Sequence, residues 1–360
     1  MTDKCERLAA YLPEQSDAAL IVSVDNRRYL TGFRSSAGAV LVLREAAYFL
    51  TDFRYIEAAG QRVRGAQCVC YRRLYESLRE LLSRHGAGRL FIEGEGTTLS
   101  EGAALAAALP EIGLCETGLD GWLQELRLTK EPEEIARIRE AQRLTDEAFA
   151  HILTFIRPGR TEREVALELE FHIRRAGAEG ASFDFIAVSG ANSSLPHGEP
   201  GAKELEPGDF LTMDFGAVVD GWHSDMTRTV ALAAPGGGIA EEQRRVYDTV
   251  LRAQEAALSV LRAGLPCVEG DAAARRVIEA AGYGEYFGHA TGHGVGVEIH
   301  EQPRLSAAAG DAVLQEGTVV TVEPGIYLPG RFGVRIEDMA VITANGCDDL
   351  TRSPRELLIL

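Results

Sequence analysis

Two stretches of this chain each combine a would-be β-hairpin with a pair of acidic residues, and few folds can accommodate both. FLTMDFGAVVDGWHSDMTRTVAL carries Asp214 and Asp225, and TVVTVEPGIYLPGRFGVRIEDMAVIT carries Glu323 and Glu337. In each, β-branched and aromatic runs flank a glycine-containing turn, which is the pattern of a hairpin. Folding the first near Val219-Asp220-Gly221 sets Asp214 opposite Asp225, and folding the second about Gly330 sets Glu323 opposite Glu337. Facing residues on a ladder hold their Cβ atoms roughly 4.5–5.5 Å apart, where like charges destabilise the sheet. Two such clashes call for a compensating charge, and a multivalent cation is the natural one.

The surrounding sequence repeats in organisation. A helix is expected over 133–156, with Ile135, Ile138, Ala141, Leu144, Ala148, Ile152 and Phe155 at helical spacing. A second helix opens at Thr161, with Glu164 completing a capping box, and stops at Gly177; the aspartate hairpin follows. The order then recurs: a long helix over about 241–263, a shorter one over about 270–281, and the glutamate hairpin. Each half reads helix, helix, hairpin. A pseudo-twofold arrangement would bring both acidic pairs to one central site. Before this, short apolar strands at 19–24, 39–43 and 46–50 alternate with helical stretches such as 73–84, the texture of a small α/β domain. The change of texture falls within 115–130, so the expected domains are 1–122 and 123–360.

Composition removes several classes of function. The net charge is −17 with no lysine or arginine block, which speaks against nucleic acid or an anionic membrane as partner. No segment approaches the ~18 apolar residues of a membrane span. The opening MTDKCERLAAYLPEQSD lacks the apolar stretch of a secretory leader, and the expectation is a cytoplasmic protein. Its six cysteines are scattered, with no spacing that completes a zinc site, and are expected to be reduced thiols.

Four carboxylates and an imidazole form a hard, oxygen-rich donor set that suits Mn²⁺ or another divalent ion. Carboxylates that bridge can hold two metals ~3.5–4 Å apart, a pair that acidifies a shared water and polarises a carbonyl or phosphoryl oxygen. The imidazole candidates are His197, in LPHGEP, and His289, His293 and His300, in FGHATGHGVGVEIHEQP. Glycines around His293 would let the backbone approach the metals closely. Three partial motifs lack their context. Asp214-Phe215-Gly216 has no kinase loops around it. Gly292-His293-Gly294-Val295-Gly296 has no strand-to-helix setting. His300-Glu301 is followed at position 304 by Arg rather than the second zinc histidine.

Several further segments fit one pattern: Pro196-His197-Gly198, Met213-Asp214-Phe215-Gly216, Ser224-Asp225-Met226-Thr227-Arg228-Thr229, Thr291-Gly292-His293-Gly294-Val295-Gly296, His300-Glu301, Val322-Glu323-Pro324-Gly325 and Arg335-Ile336-Glu337-Asp338. Arg28-Tyr29-Leu30-Thr31-Gly32-Phe33 and Thr51-Asp52-Phe53-Arg54-Tyr55 extend it to the N-terminal part. Together they resemble the pita-bread metallopeptidases of family M24, and within these the Xaa-Pro peptidases, aminopeptidase P and prolidase. The resemblance implies an α/β (α+β) chain: a small creatinase-like N-terminal domain, then a pita-bread catalytic domain with internal pseudo-twofold symmetry. It implies two divalent ions, Mn²⁺ foremost with Co²⁺ or Zn²⁺ as alternatives, held by Asp214, Asp225, His293, Glu323 and Glu337. Asp225 and Glu337 would bridge them, with Asp214 on one metal and His293 and Glu323 on the other. It makes Glu323 a proton shuttle, places His300 at the scissile carbonyl, has His197 and His289 position the substrate and its proline, and gives Arg335 a supporting role in substrate binding. It also implies a homodimer.

All five ligand positions are filled, unlike in the metal-free relatives of this fold that bind peptides or carry out creatinase-type chemistry. Methionine aminopeptidases resemble the ligand pattern but generally lack the N-terminal domain. Between the two Xaa-Pro activities, the short chain fits both. Arg304 is a candidate partner for the free carboxylate of a dipeptide. The expectation adopted is aminopeptidase P, acting on peptides with proline second, with the dipeptide-only prolidase as the alternative.

Overall fold

Short apolar strands between amphipathic helices assemble, in the N-terminal part, into one six-stranded sheet. The structure is a computed structural model that describes residues 4–360, and the chain divides into two compact units between Arg127 and Leu128. The first unit runs α1 (Lys4–Ala9), β1 (Asp17–Ile21), α2 (Val24–Thr31), β2 (Ala39–Leu43), β3 (Ala47–Thr51), α3 (Ile56–Arg62), β4 (Gln67–Cys70), α4 (Leu74–Arg84), β5 (Arg89–Ile92), α5 (Leu99–Ala108), β6 (Gly113–Cys115) and α6 (Leu119–Leu128). Its strand order is β4-β3-β2-β1-β5-β6. β1 and β2 sit in the middle, which is why both are buried at every position and, after Asp17 at the start of β1, read as apolar runs. Leu20, Leu41, Leu50, Leu78, Leu82 and Leu90 fill its core.

The second unit carries the repeat. Its first half contains α7 (Pro132–Ile152), α8 (Glu162–Arg175), β7 (Gly180–Ala181), β8 (Ile186–Ser189), β9 (Phe210–Phe215), β10 (Ala217–Val219), β11 (Trp222–His223) and β12 (Met226–Ala231). Its second contains α9 (Glu241–Val260), α10 (Cys267–Ala280), β13 (Gly292–Gly294), β14 (Glu301–Leu305), β15 (Val319–Val322), β16 (Gly325–Leu328), β17 (Phe332–Arg335), β18 (Asp338–Ile342) and β19 (Cys347–Asp349). Pro132 at the first turn opens α7, and the capping box of Thr161 and Glu164 opens α8. Each half packs its helix pair on its own sheet and has its own core. Leu144, Ala148, Val165 and Leu169 meet Met213, Phe215 and Met226 in the first. Val246, Val250, Ala274 and Ile278 belong with Val320, Val322, Ile336 and Ala340 in the second. The pseudo-twofold pita-bread architecture expected from the sequence is thus present.

The two hairpins differ in how closely their registers follow the sequence pattern. In the second, Val322 pairs with Asp338 and Gly325 with Arg335, so Glu323 and Glu337 face each other in the gap between two ladders. In the first, Asp214 pairs with Thr227, not with Asp225. The turn is a tight two-residue one: Val219 pairs with Trp222, and both central residues have positive φ, Asp220 at 49° and Gly221 at 81°. Those dihedrals are what a two-residue loop on right-twisted strands requires. Asp225 is therefore a diagonal neighbour of Asp214, displaced by two residues and still on the same face.

No helix among the described residues is long and apolar enough to cross a membrane. No disulfide joins cysteines among the described residues.

Candidate active site

Asp225, Glu323 and Glu337 enter the site where ladders are interrupted, and Asp214 enters it from within β9. Gly216 separates β9 from β10, and a Cβ built on it would stand 1.9 Å from the Ser224 carbonyl oxygen, so only glycine lets the two hairpin arms close there. The glycines around His293 have the same purpose. A Cβ on Gly292 would lie 1.9 Å from the Thr321 carbonyl oxygen and one on Gly294 2.2 Å from that of Gln302. They admit the neighbouring strands. The halves meet through Thr227 of β12, whose carbonyl accepts the Glu337 N–H at 3.1 Å and whose hydroxyl donates to Glu337 Oε2 at 2.7 Å.

At this seam, hydrogen-bond acceptors face acceptors. Asp225, His293 and Glu337 are all buried, each offering a donor atom for a metal within 4.8 Å of the others. His293 Nε2 lies 3.6 Å from Asp225 Oδ2 and 3.4 Å from Glu323 Oε1. Its Nδ1 donates to the Gly294 carbonyl at 3.0 Å, so Nε2 is the bare nitrogen of a neutral ring. Burial keeps the ring neutral by pushing its pKa down to about 3. Burial first, then the charge of neighbouring carboxylates, pushes the Asp225 and Glu337 carboxyls well above their usual range. Burial likewise lifts Glu323 to about 7, against the pull of Arg335. Asp214 Oδ2 accepts from Arg335 Nη2 at 2.7 Å, while its buried Oδ1 has no hydrogen-bond partner among the described residues. Acceptors packed this closely are costly unless protons or a cation come between them. The donor set, four carboxylates and one bare imidazole nitrogen, fits a divalent ion.

Residues that the sequence reading left without a role hold these donors in place. Thr321 Oγ1 donates to Glu323 Oε1 at 3.2 Å and accepts the His293 N–H at 3.0 Å. Tyr327, buried, links two of the expected substrate-contacting residues. Arg335 Nη1 donates to its hydroxyl at 2.8 Å, and the hydroxyl donates to His289 Nε2 at 2.9 Å. His289 Nδ1 in turn donates to the Ala290 carbonyl at 2.8 Å. Burial, then the Arg335 charge, holds His289 neutral with its pKa down to about 4. Both nitrogens of this ring are therefore engaged by protein, and His289 offers a ligand its ring edge rather than a hydrogen bond. Threonine and tyrosine are ordinary strand residues, so nothing in their own type marked Thr227, Thr321 or Tyr327. Their place beside motif residues was the one available signal.

The nine residues proposed from sequence, Asp214, Asp225, His293, Glu323, Glu337, His197, His289, His300 and Arg335, all line one cleft of about 500 Å³. Phe183, Asp184, Ile299 and Arg304 complete much of its wall. His197 and His300 stand exposed at its rim. The His300 ring meets His293 edge-on at 4.5 Å, and burial, then the nearby Arg304 charge, lowers its pKa. Glu301 turns away from the cleft to Lys130, 3.0 Å distant and equally buried.

Residues 136–344 match the sequence profile of metallopeptidase family M24, and residues 4–129 match the creatinase/prolidase N-terminal domain. The chain belongs to metallopeptidase family M24. It is 44% identical over 345 residues to the uncharacterized peptidase YqhT of Bacillus subtilis, with 96% of each chain covered. Its structure superposes on that of an Xaa-Pro dipeptidase from Bacillus anthracis with a TM-score of 0.94, at 43% identity and 99% coverage of both chains. It also superposes on an X-Pro aminopeptidase from Thermotoga maritima with a TM-score of 0.91, at 35% identity, covering 99% of this chain and 100% of that one. As an M24 metallopeptidase the protein is a hydrolytic enzyme that works with divalent metal, and the acceptor cluster is the candidate place for it.

Proposed function

We propose that this protein is an Xaa-Pro aminopeptidase, hydrolysing the bond between an N-terminal residue and a following proline in peptides longer than two residues. The convergence of Asp214, Asp225, His293, Glu323 and Glu337 at the floor of the histidine-rimmed cleft carries the reading. These five would hold a pair of divalent ions. Mn²⁺ is the best match to so oxygen-rich a set. Bound there, such ions acidify a water and polarise the scissile carbonyl.

The chain's own groups supply the rest. Glu323 borders the reacting centre and can accept a proton at its free oxygen and deliver it to the leaving proline nitrogen. His300 can donate a ring N–H to the carbonyl oxygen as charge develops, an interaction worth roughly 2.7–4 kcal/mol where such donors have been removed. His197 faces the open rim, where the free amino end or the chain beyond proline passes. Arg335, bonded to Asp214, Tyr327 and Thr227, is held too firmly to swing and fixes the wall against which the substrate lies. The free cysteines accord with a cytoplasmic, reducing setting.

A second reading, an Xaa-Pro dipeptidase, is favoured by one observation. Arg304 lines the cleft close enough to perturb His300, and its guanidinium has no ion-pair partner among the described residues, leaving it available to the carboxylate of a dipeptide. Assays of Xaa-Pro against Xaa-Pro-Yaa with Mn²⁺, Co²⁺ and Zn²⁺ separate the two. Cleavage of the tripeptide supports the aminopeptidase, cleavage of the dipeptide alone supports the second reading, and cleavage of neither under any metal refutes both.

A further inference from the structure

We propose that the Asp271–Arg275 ion pair on α10, outside the acidic cluster, positions His289 for substrate, so that Arg275 is a positioning residue of the reaction. The inference rests on the reading of the cleft as a peptidase site.

The two residues are one helical turn apart on one face of α10. Arg275 Nε and Nη2 each donate to Asp271, at 2.9 Å to Oδ2 and 2.9 Å to Oδ1. The same guanidinium reaches the loop before β13. Nη1 donates to the Phe287 carbonyl and Nη2 to that of His289, both at 3.0 Å. Asp271 Oδ1 accepts from the Thr291 N–H at 3.1 Å and the Thr291 hydroxyl at 2.8 Å. One ion pair thus grips the main chain at 287, 289 and 291, alternate residues of a segment that has no ladder of its own. The grip extends to the rings: the guanidinium carbon lies 4.4 Å from the Phe287 ring centroid, and Phe287 meets the His289 ring edge-on at 5.1 Å and 88°. Beyond Thr291, whose carbonyl accepts the Glu323 N–H at 2.8 Å, the hold reaches the acidic cluster.

This arrangement matters to a ligand because both His289 nitrogens are engaged by protein. The ring can shape the cleft only through where it sits, and its place is set by the backbone that Arg275 holds. A lysine could keep the ion pair but not the fork and the two carbonyls together. The Asp271 side chain is 1% exposed and that of Arg275 27% exposed, so Arg275 can be replaced without opening the core.

The test compares wild type with Arg275→Lys and Arg275→Gln as metal-loaded full chains. Hydrolysis of an Xaa-Pro-Yaa peptide is followed by steady-state kinetics. The ¹⁵N imidazole signals of His289 are recorded in the Zn²⁺-loaded proteins and assigned with His289→Gln. Both variants should show KM raised roughly tenfold to a hundredfold, the range expected of sub-ångström misplacement, with kcat and metal content little changed. The single Nδ1-protonated tautomer of wild-type His289 should give way to averaged signals. Wild-type KM and wild-type His289 signals in Arg275→Gln would overturn the proposal, as would a loss confined to thermal stability. An inactive wild type counts against the peptidase reading instead, and the imidazole signals then still decide whether the ion pair sets His289.

Discussion

Replacing Asp225 with asparagine should change stability in opposite directions with and without metal. Donor atoms of Asp225 and Glu337 lie within 4.8 Å of one another. At an effective dielectric constant of about 20, two unit charges at that separation repel by about 3.5 kcal/mol. Proton uptake relieves part of this, because both carboxyls are pushed well above their usual range by burial and by neighbouring charge. Removing one charge should therefore stabilise the metal-free protein at pH 8 by about 1 kcal/mol, or roughly 2–4 °C in Tm for a unit of this size. With Mn²⁺ at about 100 times its Kd, the wild type should gain about 2.7 kcal/mol, and the variant, short of one donor, much less. The order of the two proteins then inverts. Scanning calorimetry of both in EDTA and in Mn²⁺ reads this directly. If Asp225→Asn is the less stable protein in EDTA, or gains as much from Mn²⁺ as wild type, the argument from converging acceptors is wrong.

Gly216→Ala should lower stability by about 1–3 kcal/mol, the usual cost of forcing an atom into filled space, because the new Cβ would meet the Ser224 carbonyl oxygen at 1.9 Å. It should also weaken Mn²⁺ binding by calorimetric titration, since Asp214 and Asp225 flank that contact. In the first unit, burial would raise the Asp17 carboxyl, but Arg89, bonded to both its oxygens at 2.7 Å, brings it net below the usual range. Its contribution is therefore full above an unfolded pKa of about 3.9 and is lost as pH falls through the lower folded value. Urea unfolding of Asp17→Asn should show a smaller loss of stability below about pH 4 than wild type, and parallel acid limbs would refute the assignment.

How far the site could be read ahead depended on whether local pattern decides the geometry. Facing glutamates in the second hairpin were legible because its ladder continues in one register on both sides of the gap. The first hairpin was misplaced by two residues because Val219-Asp220-Gly221 fits either a longer loop or the tight turn that forms, and sequence does not choose between them. The error left the chemistry intact, since a shift of two keeps the same face. Arg228 shows the opposite case. It lies within a quoted motif, yet its burial, with donations to Asp338 and to the Thr227, Glu337, Ser353 and Pro354 carbonyls, has no local signature. Its partners lie up to 126 residues away.

Residue type, order and spacing by themselves determined the repeated helix, helix, hairpin plan and the family, and they supplied the acids and histidines proposed to bind metal, because periodicity and turn chemistry act over a few residues. Only the tertiary structure decided which atoms face one another and in what protonation state. His293 presents a bare Nε2 because of burial and the Gly294 carbonyl. His289 has neither nitrogen free because Tyr327 and Ala290 occupy them, and its loop is held by an ion pair on a helix outside every motif. Desolvation and the choice of hydrogen-bond partner are properties of assembled surroundings, and those exist only once distant segments have packed.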